Sequence, residues 1–167
     1  MNVKIWVDAD SCPKLVRNYL VEYALKLKLQ IFFVANKKIP CENPHTYFSM
    51  IVTDNESQSA DNYIISNVQN YDIVITRDIP LADILVEKNI TVLNDRGSRW
   101  TNENIKERKS ERDFSLQLSM IGLGGNKSNS YSKKEFAGFA NCFDKEIHRL
   151  IRESSLSVSP RQGMQAE

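Results

Sequence analysis

The sequence predicts an α/β fold, a three-layer sandwich with a mainly parallel central sheet. Short apolar runs alternate with helical patterns along most of the chain, and the first run, residues 3–7, is apolar almost throughout. A near-continuous apolar run is typical of a strand buried on both faces of a parallel sheet. The 167 residues, of which 41% are hydrophobic and 26% charged, are enough for one domain of ordinary size.

The predicted strands are apolar runs bounded by turn residues. They cover residues 3–7, 30–35, 48–53, 72–76 and 90–93. The predicted helices carry apolar residues at helical spacing. They cover residues 14–28, about 59–69, 80–88, 102–120 and 133–151. The alternation of strands with helices predicts helical layers on both faces of the sheet.

Start signals accompany the predicted helices. Pro13 suits the first turn of the first helix. Ser57 or Ser59 is expected to cap the second helix and Thr101 the fourth. Residues 132–135 form a capping box in front of the last helix.

One domain is expected over residues 1–152, in which residues 121–131 form a flexible linker before the last helix. Residues 153–167 are expected to be a disordered tail.

The net charge and the cysteine content exclude several classes of protein. Lys and Arg total 22 against 21 Asp and Glu, a formal charge of +1, so the whole chain does not attract nucleic acid or membrane. Any polynucleotide must therefore meet a local basic patch. The three cysteines fit neither a disulfide framework nor a zinc pattern. With no signal peptide and no long apolar stretch, we expect a cytoplasmic protein without membrane contact.

Aspartates occur where predicted strands end. Asp8 and Asp10 follow the first strand, and Asp78 follows the fourth. Because the carboxyl ends of parallel strands meet at one edge of a sheet, we expect these side chains to lie together. Asp61 heads the apolar face of the second helix, where an acid is costly unless it is paired or bound to metal. Asp10 and Asp95 fit a cap or turn role at least as well.

Carboxylate oxygens are ligands that Mg²⁺ and Mn²⁺ prefer, and such ions orient water and stabilise charge on phosphate. The sequence therefore predicts a Mg²⁺ or Mn²⁺ cofactor held by Asp8, Asp78 and Asp61, with Asp10 as a further candidate ligand. Asp8, Asp61 and Asp78 are the predicted catalytic residues. The candidates for phosphate or substrate contact are Arg96, Ser11, Thr76 and Arg108.

A second interpretation treats Asp8 as a nucleophile. The segment from Asp8 to Asp10 also resembles the first motif of haloacid-dehalogenase-type phosphatases, and Thr76 fits their second motif. That chemistry needs a lysine and a later acidic pair, of which Asn94-Asp95 supplies at most one acid. The metal-site interpretation is therefore favoured.

Other reactive residues fit structural roles better. Cys12 lies at a helix start, where a thiol is acidified, but four residues separate it from Arg17 instead of the five of a tyrosine-phosphatase loop. A packing role is favoured. His45 and His148 have no matching metal-ligand spacing. The glycine-rich run at 122–125 does not join a strand to a helix, so it is a linker and not a phosphate loop.

Several motifs resemble the YaiI/YqxD family of bacterial proteins, whose fold is PIN-like. They extend over about residues 1–150: Trp6–Pro13, Ala60–Ile64, Asp72–Ala82, Asn94–Gly97, Thr101, Asn104–Ile105, Phe139–Asn141 and Asp144. PIN domains resemble metal-dependent ribonucleases, so the resemblance implies a nuclease acting on RNA, with Asp8, Asp61 and Asp78 as metal ligands. Two departures are Gln58, where many relatives carry an acid, and Ser11, where alanine is usual. A non-catalytic domain that binds RNA or protein is the alternative.

Overall fold

The computed structural model describes residues 3–125 and 130–157. Its strands form one parallel sheet of five strands in the order β3-β2-β1-β4-β5. They are β1 Lys4–Asp8, β2 Gln30–Ala35, β3 Phe48–Val52, β4 Ile73–Ile75 and β5 Thr91–Leu93. The helices are α1 Lys14–Leu27, α2 Ser59–Asn67, α3 Ile79–Glu87, α4 Asn102–Met120 and α5 Lys133–Ser157. The predicted α/β class and parallel sheet are confirmed.

Alternate residues of the strands pack into two separate cores. In β1, Ile5 and Val7 lie in the core that contains the buried residues of α1 and α5. Trp6, between them, lies in the core that contains the buried residues of α2 and α3. Because successive side chains of a strand point to opposite faces, this division places helices on both sides of the sheet. The result is the predicted three-layer sandwich.

A buried carboxylate ties β1 to the start of β4. Asp72 accepts hydrogen bonds from the Trp6 indole Nε1–H and from the backbone N–H groups of Lys4 and Gln69, each at 2.9 Å. These donors satisfy both oxygens of a side chain that is fully buried. These hydrogen bonds fix the register of β1 against β4. That register in turn sets which residues lie together at the carboxyl ends of the two strands.

The path of the chain creates a crevice beside β1. The chain runs outward from β1 through β2 to β3, then returns to the other side of β1 for β4 and β5. Such a reversal is a topological switch point, and loops that leave it in opposite directions open a crevice at the carboxyl ends of the strands. Asp8 ends β1 at this crevice, and Asp78 comes three residues after the end of β4.

Two local predictions differ from the structure. The N-cap of α2 is Gln58, in the left-handed region at φ 71°, and no side chain caps the helix, so neither Ser57 nor Ser59 has the predicted role. Helix α5 continues to Ser157 and includes the first five residues of the predicted disordered tail, 153–157. The rest of that tail, 158–167, and residues 126–129 of the predicted linker lie outside the described residues. No helix in the described ranges is long and apolar enough to cross a membrane.

Candidate functional site

A cleft of about 520 Å³ opens at the carboxyl ends of β1 and β4, and we name it the acid cleft after the four aspartates that line it. Asp8 comes from the end of β1 and Asp10 from the turn that follows. Asp61 comes from the first turn of α2, and Asp78 from the residue before α3. The structure therefore brings together all four acids that the sequence analysis selected.

A threonine hydroxyl fixes Asp8 relative to Asp78. Thr76, which follows β4 and is 2% exposed, donates its hydroxyl hydrogen to Asp8 Oδ2 at 2.8 Å. The Thr76 hydroxyl oxygen in turn accepts the backbone N–H of Asp78 at 3.0 Å. Thr76 is therefore a positioning residue behind the carboxylates. Its place outside the lining of the acid cleft gives no support to direct contact with phosphate.

Burial raises the pKa of Asp8 above its ordinary value, and the negative charges of Asp78 and Asp10 raise it further. The hydrogen bond from Thr76 opposes this rise by favouring the ionised form. The carboxylate is thus held in an environment that costs free energy when it is charged.

Asp61 is half-buried on α2 and shows the same effect. Burial, followed by the charges of Asp78 and Asp8, raises the pKa of Asp61 to about 6. The described residues offer its carboxylate no hydrogen-bond partner. An acid with this pKa is mostly ionised at neutral pH and can accept a proton.

Asp78 and Asp10 also serve the backbone. Asp78 is the N-cap of α3, and its Oδ1 accepts the Leu81 N–H at 2.9 Å. Asp10 Oδ2 accepts the Asn36 N–H at 3.1 Å. Capping and participation in the cleft are therefore compatible, because each carboxylate has a second oxygen. Ser11, a predicted substrate contact, also lines the acid cleft.

The acid cleft contains carboxylate oxygens, the type of donor that hard divalent cations prefer. Within residues 3–125 and 130–157, no group of three or more His, Cys, Asp or Glu side chains is arranged to hold a metal ion. Mg²⁺, however, is commonly bound by one or two carboxylates, with water and substrate phosphate completing the shell. Asp8 and Asp78, linked through Thr76, supply such a pair of oxygen donors.

Sequence reasoning missed one ion pair at the edge of this cleft. Arg77 lines the cleft, and its Nε donates to Asp95 Oδ2 at 2.6 Å. Asp95 is 2% exposed, so it is a buried partner of Arg77 and not only a turn residue. Asn94 makes the turn instead, since its side-chain oxygen accepts the N–H groups of Arg96 and Ser98. The position of Arg77 directly before Asp78, at a strand end, was the signal that could have revealed it.

Two predicted phosphate contacts lie next to the acid cleft and not in it. Arg96 and Arg108 line a neighbouring cavity of about 290 Å³, which also contains Arg77. We name this space, defined by its three arginines, the basic cavity. Arg77 lines both spaces, so they adjoin at its side chain.

The remaining candidates have structural roles. Cys12 is buried, and burial raises the pKa of its thiol, which opposes formation of a nucleophilic thiolate. His45 contacts the carbonyl oxygen of Val21 at 2.8 Å, and its Nδ1 accepts the Tyr47 N–H. His148 contacts the carbonyl oxygen of Asp144. No lysine is among the described residues that line the acid cleft, so the phosphatase interpretation gains no support.

Comparison with known proteins places the chain in a family. A family model described as "Uncharacterized BCR, YaiI/YqxD family" matches residues 6–149. The chain belongs to the YaiI/YqxD family. A UPF0178 protein of Treponema denticola is 43% identical over 92% of this chain and 97% of its own length. One from Treponema pallidum is 41% identical over 89% of this chain and 83% of its own length.

A more distant YaiI/YqxD relative, from a Marinomonas species, is 38% identical over 90% of this chain and all of its own length. The family resemblance of the sequence motifs is thus confirmed. No solved structure matches the chain. The likeness to PIN domains stays a prediction.

Proposed function

We propose that this YaiI/YqxD protein hydrolyses phosphodiester bonds of RNA with Mg²⁺ or Mn²⁺ bound in the acid cleft. One observation carries the proposal: carboxylates from three separate parts of the chain, Asp8, Asp61 and Asp78, line one cleft at the switch point of the sheet. Their burial and mutual repulsion raise the pKa of Asp8 and of Asp61. A bound divalent cation would offset that repulsion, which favours cation binding at this place.

Each residue has a distinct role in the proposed reaction. Asp8 and Asp78 would hold the cation, which would supply positive charge to the phosphoryl oxygens and lower the pKa of a bound water. Asp61 would accept the proton of the attacking water, since even without the cation its pKa of about 6 leaves it mostly ionised at neutral pH. Ser11 lines the same cleft and donates its hydroxyl to a phosphate oxygen. The likeness of the motifs to PIN domains and the three free cysteines, which suit a cytoplasmic location, support the proposal.

Exchange of Asp8 for asparagine tests the proposal. The amide oxygen of asparagine can still accept the Thr76 hydroxyl, so the fold should survive. Loss of the negative charge should lower Mn²⁺-dependent cleavage of a single-stranded RNA by ~10³-fold, which corresponds to about 4 kcal/mol of transition-state stabilisation. Unchanged turnover in the purified, folded variant would refute the role of Asp8.

A second candidate is binding without catalysis, through the same edge of the sheet. It is favoured by the absence, among the described residues, of a ready-made group of three metal-ligating side chains. Isothermal titration with Mn²⁺ separates the two functions. The hydrolase requires saturable binding at millimolar metal or below, and that binding should weaken in Asp8→Asn. No heat of binding in the wild type would favour the non-catalytic protein.

A further inference from the structure

The acid cleft and the basic cavity share one lining residue, Arg77. The sheet order places the ends of β1, β4 and β5 side by side. Asp8 ends β1, Arg77 and Asp78 follow β4, and Arg96 follows β5. Along this edge the lining changes from mainly carboxylates to three guanidinium groups beside the single carboxylate of Asp95, and Arg77 lines both spaces.

Arg77 is held in place at this boundary. Two of its guanidinium nitrogens contact Oδ2 of the buried Asp95, which fixes the side chain and leaves other N–H donors unused. The wall beside it includes Trp100, whose indole Nε1–H donates to the carbonyl oxygen of Thr76 at 3.2 Å. Thr76 therefore contacts the lining of both spaces. Its hydroxyl positions Asp8 in the acid cleft, and its backbone carbonyl positions Trp100 in the wall of the basic cavity.

The other two arginines are available for a ligand. Arg96 pairs with Glu135 at 3.4 Å, and Arg108 pairs with Glu111 at 3.2 Å. The Arg108 and Glu111 side chains are 56% and 55% exposed, and exposed pairs of this kind contribute at most about 1 kcal/mol. A phosphate group, which matches the fork of a guanidinium, can therefore replace Glu111 at small cost. The Arg96 contact with Glu135 is made through Nε, and a phosphate can approach the other nitrogens of that guanidinium.

We propose that the basic cavity binds a backbone phosphate of the RNA next to the phosphodiester that lies in the acid cleft. The naming of RNA rests on the proposed function. The substrate is then an oligonucleotide or a longer strand, because a ligand with a single phosphate cannot occupy both sites. Cation and arginines would together recognise two successive phosphates.

Fluorescence anisotropy with a fluorescein-labelled single-stranded RNA of about ten nucleotides tests this site, in EDTA so that no cleavage occurs. Loss of two arginine contacts to this one phosphate in the double variant Arg96→Gln/Arg108→Gln should weaken binding about 10-fold and reduce the salt slope by about 0.7. The single variant Arg108→Gln, on an exposed helix face, should lose part of this affinity and provides a second folded protein. Arg77 is left unchanged because its loss would leave the buried Asp95 unpaired.

The matched control is Lys26→Gln/Arg152→Gln, which removes the same charge at exposed positions on α1 and α5. It should change RNA affinity less than about twofold. An equal loss in the control, or no loss in the arginine variants, would overturn the proposed site.

Hydrolysis is followed separately, with wild type and Mn²⁺. If the arginine variants bind RNA more weakly but the wild type does not cleave it, the hydrolase is overturned and the phosphate site remains. If the wild type cleaves RNA but the arginine variants bind it as tightly as the wild type, only the phosphate site is overturned.

Discussion

At the scale of single residues, the Thr76 hydroxyl links Asp8, at the end of β1, to Asp78, directly before α3. It donates to Asp8 and accepts from the Asp78 backbone. The contact with Asp78 is a local turn pattern of threonine, two residues along the chain, but the contact with Asp8 spans 68 residues and has no sequence signature. The sequence could nominate the acids, but only the fold shows what orients them.

Replacement of Thr76 by valine should therefore impair the site without altering its charge. The variant leaves the Asp78 N–H and Asp8 Oδ2 without their partner, which should cost about 1–3 kcal/mol of stability. With its opposing hydrogen bond gone, the pKa of Asp8 should rise further, so the acid limb of the pH–rate profile should move to higher pH. Thr76→Ser keeps the hydroxyl and should restore the profile. Identical profiles for the valine variant and wild type would exclude this positioning role.

Asp61 should make stability depend on pH. Its pKa is about 6 in the folded protein against an ordinary value of 3.8, so the folded state holds the proton more tightly. Its contribution to stability is therefore complete below about pH 4 and is lost as pH rises through 6. Asp61→Asn should raise the free energy of unfolding at pH 8 and change it little at pH 4, as urea titrations would measure. Asp54→Asn, at an exposed position, is the control. Destabilisation by Asp61→Asn at pH 8 would contradict the account.

At the scale of elements, most strands and helices could be predicted because their sequences contain one clear period. The residues of β2 were predicted without error, since an apolar run ends sharply at both sides. The start of α2 could not be predicted, because Gln58 adopts a left-handed conformation that its residue type does not indicate. The true end of α5 was missed because serines suggest a loop. Ser154 and Ser155 instead donate to the carbonyl oxygen of Ile151 and continue the helix.

The turn after β5 contacts α5 so closely that Gly97 admits no side chain. Gly97 has φ +94°, and an added Cβ would lie 2.4 Å from the Gly138 carbonyl carbon. Gly97→Ala should destabilise the protein by about 2–4 kcal/mol, because backbone strain adds to a clash that the α5 backbone cannot avoid. Thermal unfolding measures the change. Gly125→Ala is the control, since its Cβ would meet no atom of residues 3–125 and 130–157 within 4 Å. Equal melting temperatures for the two variants would show that α5 does not pack here as described.

At the scale of the whole molecule, the switch point of the sheet explains why distant acids meet. The order β3-β2-β1-β4-β5 puts the ends of β1 and β4 beside each other, and α2 enters the same edge after β3. Strand ends can be anticipated from apolar runs, which is why Asp8, Asp61 and Asp78 could be nominated together. The Arg77–Asp95 pair could be anticipated only by half: the place of Arg77 at a strand end marks it as a candidate, but no periodic signal connects it with Asp95, 18 residues away.

Net charge alone also hides the organisation of this surface. The formal charge of +1 predicts no general attraction to nucleic acid. Four aspartates and one arginine line the acid cleft, whereas three arginines and one aspartate line its neighbour, so the excess charge differs in sign between the two spaces. A cation in the acid cleft and a phosphate in the basic cavity would each meet an excess of opposite charge, although the positive and negative charges of the whole chain nearly cancel.

The most direct test of the account is a crystal soaked in millimolar Mn²⁺ and measured at the manganese absorption edge. We predict an anomalous peak in the acid cleft, with carboxylate oxygens of Asp8 and Asp78 at Mn–O distances of roughly 2.0–2.3 Å and Asp61 facing a coordinated water. The peak should be absent from Asp8→Asn crystals soaked in the same way. Wild-type crystals with no peak at these residues, or with manganese bound only elsewhere, would contradict the claim that the aspartates form a cation site.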